Sequence, residues 1–243
     1  MLEPVKVAFA RFMRRYFDSL TATTKPMEPY VKKDFSTAVF MANTRMVDAA
    51  EDMLSKYMRL DWGHEHDPHW LPVVMFALAR DYTPTGRDYT RQVADGEYVT
   101  FPDDEKQRAF RVRVAAGDVR AQVVFFASDE PTARSLAAQF LLFLDQTDAR
   151  RFWADYTFAG FVSSWPVQVE SPDSPAMNIQ TESKNLCILA VDLTLKCSIP
   201  FFSAPRVGEA TDGKGVDGGA EDPSGYPVVV SICTPRCRRI EQE

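Results

Sequence analysis

Residues 186–201, LCILAVDLTLKCSIPF, alternate for longer than any other stretch of the chain. Cys187, Leu189, Val191, Leu193, Leu195, Cys197 and Ile199 fall on one side of the run. Ile188, Ala190, Asp192, Thr194, Lys196 and Ser198 fall on the other, which is half polar. A period of two is the period of a strand, so the run predicts a long strand with one face in a core. An isolated strand cannot satisfy its own backbone groups, so the chain must supply partners for it.

Several segments qualify as partners. FRVRV (110–114), the glycine-bearing AAGD (115–118) and VRAQVVFFA (119–127) predict a β-hairpin. LPVVMFALA (71–79) is short and almost wholly apolar, which predicts a buried strand. WPVQVE (165–170) has alternating valines and predicts another. Residues 81–104 carry Pro84, Gly86, Gly96 and Pro102 and predict a long loop, with one short strand over 97–101. After the hairpin, Ser128 and Asp129 are candidate N-caps and Pro131 suits a first helical turn. Ala133, Leu136, Ala137, Phe140, Leu141 and Leu144 then form a helical stripe able to pack across a sheet.

Helical spacing also marks the N-terminal region. Val5, Ala8, Phe9, Phe12, Met13, Tyr16 and Leu20 share one face after Pro4. TATTKPMEPY, with Pro26 and Pro29, predicts a turn region. Met46, Ala49, Ala50, Met53, Leu54 and Tyr57 predict a second helix over 36–59. The order is helix, helix, strand, hairpin, helix, strands. The expected class is α+β, with N-terminal helices and an antiparallel or mixed sheet carrying a packed helix. The expected organisation is a helical segment over 1–60 and a core domain over 61–206.

Residues 207–225, VGEATDGKGVDGGAEDPSG, hold six of the eleven glycines and five acids against one lysine, and predict a flexible linker. Beyond it, YPVVVSI (226–232) again has strand character, so 226–243 is expected to form an arm. Tyr226, Val228, Val229, Val230 and Ile232 are its candidate contact residues, adding to a sheet edge in this chain or in a neighbour.

All three histidines lie in DWGHEHDPHW (61–70). His64, His66 and His69 are weak candidate metal ligands for a hydrolase. In an extended segment His64 and His66 share a side, while Pro68 bends the chain before His69. The string resembles the HxHxDH signature of metallo-β-lactamase-type hydrolases. Pro68 breaks that signature, Asp67 comes one place early, and no distant histidine exists to complete a second set. The plainer reading is a polar loop, and no cofactor or metal is expected. No P-loop, G-x-S-x-G or G-x-G-x-x-G motif occurs.

Arg11, Arg14 and Arg15 lie largely off the apolar stripe of the first helix. They are candidates for pairing with an acidic partner, with nucleic acid a weaker choice, because the chain as a whole carries a formal charge of −6. Cys187 and Cys197 are about 33 Å apart if the strand is extended, so they are expected to be separate buried thiols. Cys233 and Cys237, on the arm, are candidates for disulfides, including interchain ones, in an extracellular particle. No apolar run approaches membrane-spanning length, and the charged N-terminus lacks a leader's pattern, so a cytoplasmic origin is expected.

The succession FRVRVAAGDVRAQVVFFAS, EPTARSLAAQFLLFLDQ and NLCILAVDLTLKCSIPFF resembles the core of bacteriophage tail terminator and related tail-completion proteins, over residues 70–202. The resemblance implies a non-enzymatic structural subunit of the virion tail, assembled in the host cytoplasm. It implies a homo-oligomeric ring, expected as a hexamer, that contacts tail tube, sheath or neck proteins. Baseplate or collar stations are alternatives, and the metal-dependent hydrolase is the alternative of a different class.

Overall fold

The computed structural model describes residues 2–42, 71–85, 97–102, 104, 108–181 and 185–205. The fold is mixed α/β, with few helices and a nine-stranded mixed sheet. In chain order the elements begin with α1 (Glu3–Asp18), α2 (Met27–Tyr30), α3 (Phe35–Ala38) and β1 (Val39–Ala42). Next come β2 (Val73–Leu78), β3 (Thr83–Pro84), β4 (Glu97–Val99), β5 (Phe110–Ala127) and α4 (Glu130–Asp145). The last are β6 (Arg151–Phe158), β7 (Phe161–Val169), β8 (Ala176–Ile179) and β9 (Cys187–Ser203). The strand order is β1-β2-β5-β9-β7-β6, with β3 and β4 also on β5 and β8 also on β9. β1 runs parallel to β2, with Val39 opposite Val74 and Ala42 opposite Ala77. β2, β3 and β4 are antiparallel to β5, and β7 and β8 to β9.

The chain divides into two compact units. The first comprises Met1–Thr85, Ala116–Asp155 and Ser164–Ser198; the second comprises Gly86–Ala115, Tyr156–Ser163 and Ile199–Glu243.

In the first unit the buried face of α1 is Val5, Ala8, Phe9, Phe12, Met13, Tyr16 and Phe17; Phe17 takes the place the sequence reading gave to Leu20, which lies beyond the helix end. Pro4 sits in the first turn, where its missing N–H costs nothing. Phe9 meets Phe76 of β2 edge-on at 5.5 Å, and Phe12 lies 5.1 Å from Phe152 and 5.3 Å from Phe143. Tyr16 packs on Phe140 at 5.0 Å and donates its hydroxyl to the Leu136 carbonyl at 2.9 Å. That bond satisfies the one polar atom the ring carries into the core. Burial holds the Tyr16 hydroxyl well above its ordinary pKa, so it stays protonated.

Helix α4 starts at the expected cap: the Asp129 carboxylate accepts from the Thr132 N–H at 2.8 Å. Its buried face is Thr132, Ala133, Leu136, Ala137, Phe140, Phe143 and Leu144. Phe143 takes the place the sequence reading gave to Leu141. The opposite face of this part of the sheet is also buried. Val73, Met75, Ala77, Val124, Phe126, Ile188 and Ala190 form one cluster there, with Phe40, Ala42, Leu71, Ile179 and Leu186 against it. Burial on both faces is why LPVVMFALA is apolar throughout rather than alternating.

The second unit has its own aromatic core. Phe101 stacks on Phe161 at 4.8 Å and meets Phe110 at 5.3 Å; Phe158 stacks on Phe202 at 5.2 Å. Asp104, 6% exposed, accepts from the Arg108 guanidinium at 2.9 and 3.0 Å, and that guanidinium lies over Phe110.

Two expectations are corrected. Residues 110–127 are one strand, not a hairpin, because AAGD does not turn. Gly117 lacks the left-handed φ a tight turn needs; it serves a close approach instead. A methyl there would fall 1.7 Å from Cε2 of Tyr82, whose hydroxyl donates to the Ala116 carbonyl at 3.0 Å. The hairpin lies later, between β6 and β7, where Ala159 (φ 50°) and Gly160 (φ 88°) make a two-residue turn with both centres left-handed. Finally, Val39–Ala42 are a strand where the second helix was expected to have begun. Pairing with β2 outweighs local propensity there, since β1 buries Val39 and Ala42 packs into the cluster behind β2. The rest of that expected helix lies outside the described residues.

Gly117→Ala should cost about 1–3 kcal/mol in chemical denaturation, because the Tyr82 ring must move and lose its bond. In a Tyr82→Ala background the same change should cost markedly less, a non-additivity that a hairpin turn at 115–118 would not produce.

Candidate functional site

Of the residues singled out from the sequence, only the arginines of α1 and two of the cysteines lie among those described. His64, His66, His69, the arm residues Tyr226, Val228, Val229, Val230 and Ile232, and Cys233 and Cys237 lie outside them. Among the described residues no group of three or more His, Cys, Asp or Glu side chains is placed to hold a metal ion. None of the described helices is long and apolar enough to cross a membrane.

The three arginines do not form an open basic patch. Arg11 donates to Asp155 of β6 at 2.7 Å, and Ser164 of β7 donates to the same carboxylate at 2.7 Å. The Arg11 bond first, and the Ser164 bond second, hold the Asp155 carboxyl below its ordinary pKa. Arg14 pairs with Asp18 at 2.9 Å and lies over the Phe35 ring. Arg15 donates to the backbone carbonyls of Arg151 at 3.4 Å and Asp148 at 3.3 Å. Arg11 and Arg15 therefore tie α1 to β6, a strand at the end of the sheet path, and Arg15 occupies one backbone carbonyl of that strand. Covering an edge in this way blunts unwanted strand pairing.

Exposed apolar groups are a second, independent feature. Met41, Tyr98, Trp153 and Met177 are all large, hydrophobic and exposed. They sit on β1, β4, β6 and β8, each of which has a single strand neighbour among the described residues. Sequence reasoning missed this set, although RFWADYTF (151–158) carries the alternation that signals its strand.

A groove of about 480 Å³ opens between the first turns of α4 and the strands β8 and β9. Glu130 and Arg134, paired at 2.5 Å, form one wall. Asn178, Gln180 and Thr181 line the other, with Cys187 and Leu189 beneath. Desolvation, then the charge of Glu130, raises the Cys187 thiol pKa, so the thiol is protonated and poorly nucleophilic near neutrality. Cys197 is 3% exposed, and burial followed by the charge of Asp118 pushes its pKa up to about 12. Both thiols are free, as the strand geometry of the sequence requires.

Lys196 on β9 bridges Asp118 of β5 at 2.5 Å and Glu170 at 2.8 Å. The buried Gln122 amide donates to Asp192 at 3.1 Å across the same pair of strands. These polar links fix the register of β5 against β9, because a one-residue slip would strand them among apolar neighbours.

A scan against protein-family models and a search of curated proteins each found no match.

The raised Cys197 pKa gives a signed pH dependence. Below about pH 9 the thiol is neutral in both states and contributes nothing to it. Between about 9 and about 12 the unfolded chain ionises while the folded one does not, so stability falls by about 1.4 kcal/mol per pH unit. Cys197→Val should flatten that part of the denaturation-versus-pH curve. An unchanged slope would show that Cys197 titrates normally in the fold.

Proposed function

We propose that this chain is a structural subunit of a bacteriophage tail, a tail-terminator-like protein that assembles into a ring. In this reading the ring joins tail tube or sheath to the neck, is built in the host cytoplasm and ends in the virion. Contacts between subunits come from strands, with the 226–243 arm adding to a neighbour's sheet. The single observation that carries the reading is the placement of Met41, Tyr98, Trp153 and Met177. Four large apolar side chains stand exposed on four edge strands. Exposed apolar groups of this kind invite association, and in a closed assembly they become interfaces. Head-to-tail contacts between different patches close into rings when the rotation between subunits returns to its start.

The long strands support the same reading. β5 runs from Phe110 to Ala127 and β9 from Cys187 to Ser203, and each is bonded to several shorter strands. Long strands that each carry several short ones leave several strands with a single neighbour among the described residues, which suits a scaffold. A baseplate or collar station would use the same surfaces.

Electron microscopy of the purified protein should show closed rings, and removal of 207–243 should leave smaller species. A monodisperse single chain holding stoichiometric zinc would instead favour the hydrolase built on His64, His66 and His69.

A further inference from the structure

Strand β6 closes one end of the sheet, with β7 its one strand neighbour among the described residues. Its side chains alternate: Phe152 and Ala154 are buried, while Arg151, Trp153 and Asp155 point the other way. Trp153 is 52% exposed at the centre of that outward row. On β7, Ser164 and Pro166 are exposed as well. An indole standing between two charges of opposite sign is an expensive group to leave in water, and Trp and Arg are the residues that dominate protein interfaces.

The row Arg151–Trp153–Asp155 is self-complementary. Turned end for end, its basic end meets its acidic end and the indole meets itself. We propose that this outer face of β6 is a twofold contact with a second copy of the chain. The two β6 strands cross antiparallel, the indoles pack together, and each Arg151 faces the other copy's Asp155. The contact is isologous, as a twofold axis requires.

Two features favour a contact through side chains over one through the backbone edge. Arg15 already holds the Arg151 carbonyl, and Arg11 reaches Asp155. Arg15 would have to leave before another strand could pair along that backbone edge. The Asp155 carboxylate is already held on the face, and Arg151 is the charge left to be matched. Arg11 and Ser164 fix the Asp155 carboxylate in place, and the Arg151 guanidinium has no hydrogen-bond or ion-pair partner among the described residues. This contact does not depend on the ring. A ring needs head-to-tail interfaces, whereas the β6 face would join two chains or two rings back to back.

Sedimentation velocity of the full chain over a concentration series tests the contact. Trp153→Ser and Arg151→Asp should each weaken association at least about tenfold. Asp155→Lys should do the same by placing two cations together. An equimolar mixture of Arg151→Asp and Asp155→Lys chains should recover it, because both cross-contacts become attractive again. Thermal melts check that each variant folds. If Asp155→Lys, which loses its Arg11 partner, does not, Trp153→Ser and Arg151→Asp carry the test. Wild-type association by either of those folded variants, or a single-chain wild type at every concentration, overturns the proposal. A ring mass unaltered by Trp153→Ser would sink the β6 contact and leave the ring standing. A wild-type pair split by Trp153→Ser would do the reverse.

Discussion

The aromatic layer between α1 and the sheet is the interaction on which the first unit depends. Phe9, Phe12 and Tyr16 come from one helix face, Phe76 and Phe125 from the sheet, Phe140 and Phe143 from α4, and Phe152 from β6. Each fully buried ring contributes roughly 1.5–3 kcal/mol by leaving water, and their edge-on and tilted geometries add to that. With these rings in place the helix ends follow. Arg15 and Arg11 reach β6, Gln139 of α4 bonds both backbone groups of Thr21, and the Thr24 and Thr132 hydroxyls meet at 2.8 Å. The polar contacts trim a position that apolar burial has already chosen.

The legible parts of the sequence were those where one periodicity ran unbroken. α1, α4 and β9 were readable because each repeats its pattern over several turns or pleats. β2 was readable because continuous burial leaves a continuous apolar run. At 115–118 the glycine predicts a turn, yet its lack of a side chain admits the Tyr82 ring, a neighbour distant in sequence. At 159–160 the turn was overlooked because Ala-Gly is a weaker signal than Asn-Gly, although both residues adopt the left-handed conformation. At 39–42 a helical stripe continued into residues that pair with β2. At 115–118 and at 39–42 a partner far along the chain decides the matter.

The candidate surface was less legible than the fold. Arg11, Arg14 and Arg15 stood out as charges, but charge on a helix does not reveal whether its partner is internal. Here their bonds run to Asp155, Asp18 and backbone carbonyls. Trp153 attracted no notice because an exposed indole and a buried one look alike in sequence. Exposure on an edge strand gives it meaning, by placing an apolar group where none of the described residues covers it. The proposed ring and the proposed twofold contact both rest on this same property: large apolar groups exposed on strands with a single neighbour among the described residues.

Native mass spectrometry of the full-length chain tests that claim most directly. The account predicts particles of two or more 27.5 kDa chains, with no bound metal. A single 27.5 kDa species at all working concentrations, above all one carrying a zinc ion, would contradict it.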